Sequence, residues 1–262
     1  MNLNLENKNA LVCGSSQGMG RAIAVQLAKM GANVTLFARN LDALNQVKDQ
    51  LANNGSQEHF AICADFSDTE AVARALDSQL TVVPHYSILI NNTGGPAPGP
   101  ANTSESSAFI AAFNLHLINN HQIAQKLLPG MKASGYGRII NVISTSVKQP
   151  LPNLGVSNTV RGAVASWAKT MANELGEFGI TVNNVLPGAT NTARLDAIIK
   201  NKAAKKGLSI EDTEKEEKSI IPLKRFGEAE EFANACAFLA SPSAGYITGV
   251  SLPVDGGRTS CL

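Results

Sequence analysis

Asn9-Ala-Leu-Val-Cys-Gly-Ser-Ser-Gln-Gly-Met-Gly-Arg21 decides how this chain folds. A short apolar run, Ala10 to Cys13, meets a glycine-rich turn, and helical periodicity follows at once in Ile23, Leu27 and Met30. Gly14, Gly18 and Gly20 stand in the spacing Gly-x3-Gly-x-Gly. The pattern predicts strand, tight turn and helix, with the free N–H groups of the helix start aimed over the turn. Those donors and the helix dipole suit a phosphate, and the glycines let a pyrophosphate approach the main chain. Ser16, Gln17 and Met19 are the side chains beside it. A tight connection without ligand is the competing reading, and the rest of the chain weighs against it.

Outward from this stretch, β-rich apolar runs alternate with helical patterns. Strands are expected at 10–13, 33–37, 60–64, 87–90, 138–143, 181–186 and 250–254, and helices at 19–30, 41–53, 69–80, 105–133, 153–176 and 228–240. Such alternation means crossover units, hence an α/β doubly wound parallel sheet with helices on both faces and ligand beyond the carboxyl ends of the strands.

The strand ends carry the informative residues. After the second strand comes Ala38-Arg39: no carboxylate for ribose hydroxyls, but an arginine that accommodates a 2′-phosphate, which favours NADP over NAD. A solvated surface arginine is the alternative. Asp65 and Phe66 follow the third strand, where an adenine edge would lie. Asn91-Asn-Thr93-Gly94 follows the fourth, and Pro187-Gly188 with Thr190 and Thr192 follows the sixth. Between 193 and 220, within a segment 189–220 that would border the substrate, the pattern loosens into lysines and a mixed charge run. It reads as a solvated face, or as a lid whose lysines meet an anionic substrate.

Composition bounds the answer. The chain has 262 residues, 44% hydrophobic and 16% charged, with formal net charge +1, enough for one large core in a single domain. No basic block argues for nucleic acid or an anionic membrane as partner. Residues 1–8 lack the apolar core of a signal peptide, and no apolar run reaches a membrane span. Cys13, Cys63, Cys236 and Cys261 have no metal-ligand spacing, and the first three lie in apolar runs as expected core thiols. We expect a soluble cytoplasmic protein without a metal.

Taken together, Gly14-Ser-Ser-Gln-Gly-Met-Gly20, Asp65, Asn91-Asn-Thr-Gly94, Gly137-Arg-Ile-Ile-Asn-Val-Ile-Ser144, Val182-Asn-Asn-Val-Leu-Pro-Gly188, Pro222-Leu-Lys-Arg-Phe-Gly227 and Tyr246 through Gly257 resemble the short-chain dehydrogenase/reductase family over essentially the whole chain. Among its subgroups, the 3-oxoacyl-[acyl-carrier-protein] reductase-like members are the most similar. The resemblance implies a Rossmann-type seven-stranded parallel sheet, a nicotinamide cofactor across the strand ends, a small-molecule carbonyl substrate and a homotetramer or homodimer. It places Gly14, Gly18 and Gly20 at the phosphates, Asn91, Thr93 and Gly94 along the adenosine ribose, and Pro187, Gly188 and Thr192 at the nicotinamide.

The resemblance breaks at the chemistry. The family uses Asn, Ser, Tyr and Lys. Ser144 matches the serine, but thirteen residues on stands Ser157, and four beyond that Arg161. An ungapped reading puts His116 at the asparagine, with Asn114 two residues away. Reduction of a carbonyl needs a proton for the oxygen, which the family's phenol supplies beside the lysine ammonium. Serine is a far weaker acid, and arginine stays protonated. Tyr136 stands before the fifth strand, roughly 25 Å from its far end at about 3.3 Å per residue, and Tyr86 and Tyr246 are no better placed. His116 titrates near neutrality when unperturbed, so it is the candidate donor, directly or through water held by Ser144 and Ser157. Its alternative role is packing inside the helix. Arg161 is expected to hold the nicotinamide ribose and keep positive potential at the reacting oxygen. An oxidoreductase with an atypical proton donor is the leading expectation; a catalytically impaired NADP(H)-binding module, serving as sensor or assembly subunit, is the alternative.

Overall fold

The computed structural model describes residues 1–261. Seven strands are present: β1 (Asn9–Cys13), β2 (Asn33–Ala38), β3 (Phe60–Cys63), β4 (Ile88–Asn91), β5 (Gly137–Val142), β6 (Ile180–Pro187) and β7 (Ser251–Val254). All pair in parallel, in the order β3-β2-β1-β4-β5-β6-β7. The order reverses between β1 and β4, so the crevice at this switch point opens above the strand ends where the glycine turn lies.

β1 explains why the strands read as unbroken apolar runs. Ala10 and Val12 face one core layer, Leu11 and Cys13 the other. Successive side chains alternate, and helices cover both faces, so both sets are buried. The first layer packs α1 (Gly18–Lys29), α2 (Leu41–Lys48) and α9 (Ala229–Ala240) on the sheet. The second packs α3 (Thr69–Val82), α5 (Asn119–Ser134) and α6 (Gly155–Leu175). No helix among the described residues is long and apolar enough to cross a membrane.

Four expectations need correction. The helix predicted at 105–133 is α4 (Ser106–Phe113), a π-helical turn at Asn114–Ile118, and α5. A π turn inserts a residue while leaving the apolar stripe readable, so periodicity does not reveal it. The helix expected over 41–53 ends at Lys48. The loose 193–220 segment is two helices, α7 (Ala193–Lys206) and α8 (Ile210–Ser219), with Thr192 and Ser209 as N-caps. Lys202–Glu217, at 2.6 Å, and Lys206–Glu216, at 2.6 Å, clip them together, so those lysines are spoken for. Cys63 is exposed rather than core, because it closes the edge strand β3; Cys13 and Cys236 are buried.

Candidate active site

The phosphate turn is held open by what glycine lacks. Gly14 and Gly18 have φ of +60° and +56°. A Cβ on Gly20 would stand 2.2 Å from the Gly14 carbonyl oxygen, so only glycine lets α1 start this close to β1. The buried Ser15 hydroxyl accepts the Phe37 N–H at 2.9 Å, and Gly14 N–H donates to the Phe37 carbonyl at 2.7 Å, tying the turn to β2. Gln17, the N-cap of α1, makes no side-chain cap bond, and no acid occupies the first turn. The helix start therefore keeps its donors and its positive end for an anion, which fits a dinucleotide pyrophosphate. Ser16 and Met19 are half-buried beside it.

At the adenosine end, Arg39 is exposed past β2. Ser67 N–H donates to Asp65 at 2.9 Å; that bond, helped by the Arg39 charge, holds the Asp65 carboxyl below its ordinary range. Phe66 is different from expectation. Its ring is buried 4.8 Å from that of Phe37, in the core, and its carbonyl accepts from Asn119 at 2.7 Å. Asn91 also turns inward: its amide donates to Asn141 at 2.8 Å, Asn141 to Asn184 at 3.0 Å, and Asn184 to Ser251 at 3.1 Å. These residues are register partners across β4, β5, β6 and β7, so the ladder pairs polar side chains inside the sheet and the Asn91 amide nitrogen is committed to it. Asn92 was missed by sequence reasoning: its Nδ2 donates to the Cys13 and Gly14 carbonyls, at 3.3 and 3.2 Å, and braces the turn. Gly94 has open space around its missing side chain.

The segment expected to hold the nicotinamide is β6 and the loop after it. Pro187 closes β6, and a Cβ on Gly188 would stand 2.5 Å from Asp255 Cα, so the close approach to β7 requires glycine. Thr192 caps α7, and its methyl lies 3.5 Å from the position a Gly18 Cβ would take. The β6 loop thus closes over the phosphate turn.

Ser144 leaves β5 as N-cap of a short turn, its hydroxyl accepting from Ser146 N–H at 3.1 Å. Ser157 and Arg161 are one turn apart on α6, so they share a face. Arg161 is only 7% exposed, and its Nη1 donates to the Val142 carbonyl at the end of β5, at 3.0 Å. Burial, and then the charge of Arg194, brings its pKa to about 10, so it remains a cation at neutral pH.

His116 sits in the π turn, 1% exposed, with Nδ1 2.7 Å from the Thr93 hydroxyl. Its Nε2 is buried without a partner. Burial, reinforced by Arg161 and Arg194, lowers its pKa to about 2. This corrects the expectation of an imidazolium acid: the ring is neutral at any working pH, because both desolvation and two neighbouring guanidinium groups oppose a further positive charge. The hydroxyl of Thr93, expected along the ribose, is engaged with this ring.

The tyrosines are engaged elsewhere. Tyr86 is buried with its hydroxyl 2.8 Å from that of Thr35, Tyr136 donates to the Ala240 carbonyl at 2.7 Å, and Tyr246 is fully exposed. Trp167 packs inside, its indole donating to His121 at 3.4 Å. Arg194, like Asn92, was missed; the loosened periodicity around it hid that it opens a capped helix.

A family profile described as enoyl-(acyl carrier protein) reductase matches residues 14–259. The NADPH-dependent reductase BacG of Bacillus subtilis is 32% identical over 259 residues, covering 98% of this chain and 100% of that protein. A 3-oxoacyl-[acyl-carrier-protein] reductase of Staphylococcus epidermidis is 34% identical over 254 residues, covering 96% of this chain and 98% of that one. Among solved structures, L-sorbose reductase from Gluconobacter frateurii, complexed with NADPH and L-sorbose, matches with a TM-score of 0.93 and 30% identity over 100% of both chains.

Proposed function

The chain belongs to the short-chain dehydrogenase/reductase family, and from that membership we propose that it is an NADP-dependent oxidoreductase interconverting a carbonyl and an alcohol, with an atypical source for the proton. The observation that carries the reading is the shared cleft: an uncapped helix start braced by Asn92 opens on the same strand ends as Ser144 and the Thr93–His116 pair. A small-molecule carbonyl substrate, a cytoplasmic location and a homotetramer or homodimer belong to the same reading. Ile110 and Phe113, exposed on α4, support self-association.

When bound, the nicotinamide supplies the hydride. Ser144 donates a hydrogen bond to the carbonyl oxygen, and Arg161 keeps positive potential where negative charge develops. Ser157, on the Arg161 face of α6, holds a water that delivers the proton. With Thr93 donating to Nδ1, the buried His116 stays neutral and acts as a positioning residue behind Thr93, not as an acid. Gly94 leaves room for the cofactor, and the segment 189–220 serves as the substrate lid of the single domain. Arg39 selects the 2′-phosphate.

The test is deuteride transfer from [4-²H]NADPH into a pool of cellular carbonyl compounds, read by mass spectrometry, after NADPH binding is measured. A labelled alcohol establishes the activity. Firm NADPH binding without label would turn the protein into a nucleotide-binding module, the reading favoured by the lack of a neutral-range acid among Ser144, Ser157, Arg161 and His116.

A further inference from the structure

Several cations of this chain meet no carboxylate among the described residues: Arg21 donates to Gln50, Arg138 to backbone carbonyls, and Arg39 is exposed. Arg74, Arg225 and Arg258 each meet a carboxylate, as do the lid lysines Lys202, Lys206 and Lys218. Arg161 and Arg194 do not: neither has a carboxylate within 4.0 Å among the described residues. Yet Arg194 acts electrostatically on Arg161, and both act on His116. Arg161 is buried, and the Nε2 of His116 is buried without a partner, so this end of the cleft holds positive charge and unmet hydrogen-bonding capacity that an anion would satisfy.

The position of Arg194 says which end of the cleft that anion occupies. A Cβ on Gly95 would stand 2.7 Å from Arg194 Nη2, so the guanidinium lies along the loop after β4, two residues from Thr93. The phosphate turn is approached instead by the Thr192 methyl. Arg194 therefore lies against the loop that carries Thr93, the partner of His116, rather than against the phosphate turn. Arg161, for its part, has one N–H committed to the Val142 carbonyl, which leaves the rest of its fork for a ligand.

We propose that the substrate is an oxo acid, whose carboxylate is held between the guanidinium groups of Arg161 and Arg194 beside the Thr93–His116 pair. The proposal rests on the oxidoreductase reading above and names its substrate class. A guanidinium fork matches a carboxylate geometrically, and the second arginine, on the first turn of α7, couples ligand binding to the position of the lid.

The test uses matched pairs of straight-chain oxo acids and their methyl esters, with wild-type protein and Arg194→Gln. Arg194 is exposed and meets no carboxylate among the described residues, so the variant should fold. Calorimetric titration of the protein–NADP⁺ complex and NADPH oxidation are measured side by side. The expected result is that at least one acid binds and is reduced at least about tenfold better than its ester, the scale of one charge-assisted hydrogen bond, and that Arg194→Gln removes this preference while leaving the Kd for NADPH within about twofold. Acid and ester handled alike, or no acid bound by a protein that binds NADPH, would overturn the proposal. Loss of NADPH affinity in the variant would also overturn it, by assigning the arginine to the cofactor phosphates. Acid binding that needs Arg194 but yields no oxidation of NADPH would uphold the anion site and remove the oxidoreductase reading.

Discussion

Thr93 and His116 hold one another at 2.7 Å, across the gap between the loop after β4 and the π turn between α4 and α5. The bond fixes a neutral imidazole in a place that desolvation and two arginines make hostile to imidazolium. It also joins the loop that borders the cleft to the helix layer beneath.

That relationship sets an acid sensitivity. The folded pKa of His116 is lowered to about 2, so between its unfolded value, about 6.5, and that limit the unfolded chain takes up a proton that the folded chain refuses. Stability is therefore unaffected above about pH 6.5 and falls as the pH drops below it. His85, also lowered, acts in the same sense, whereas the lowered carboxylates of Asp65, Asp255 and Glu231 act only nearer pH 4. In His116→Asn, urea midpoints measured from pH 7 to 5 should decline less steeply than in the wild type. Parallel declines would mean that the ring is free to protonate in the fold.

The glycines of the turn should separate two kinds of damage. Gly20→Ala drives a Cβ to 2.2 Å from backbone oxygen, so it should lower the thermal midpoint by several degrees and abolish NADPH binding. Gly94→Ala meets nothing within 4 Å. Its thermal midpoint without cofactor should stay within about 2 °C of the wild type, while NADPH affinity drops, because the new methyl occupies cofactor space. Differential scanning calorimetry with a fluorescence titration checks both.

In the proposed function, Arg39 is the lever on cofactor choice. Arg39→Ala should weaken NADPH about 10- to 100-fold, the worth of a charge-assisted phosphate contact, and leave NADH affinity unchanged. Equal losses for both would place the arginine in general scaffolding.

The proton route has its own signature. With His116 neutral and Arg161 charged throughout, kcat should be flat from pH 6 to 8, in contrast to the sloping profile of a titrating acid. Ser144→Ala should lower kcat by about 10²–10³-fold, as for loss of one oxyanion donor. A pKa near 7 in the kcat profile would point to an acid outside this set.

The sequence by itself determined the architecture of this protein. Gly14-x3-Gly18-x-Gly20 after an apolar run, and strand alternating with helix to the end, leave a parallel sheet with its ligand at the strand ends, because local spacing carries the physics of tight turns and amphipathic faces. The cofactor crevice followed from the same local signals. Only the tertiary structure decided the chemistry of the side chains around it. Asn91 and Phe66 turned into the core because cross-strand partners and ring packing claimed them. His116 lost its proton because residues far along the chain, Arg161 and Arg194, came beside it. Asn92 gained its bracing role for the same reason. Burial and charge proximity are sums over neighbours distant in sequence, and no window of residues contains them.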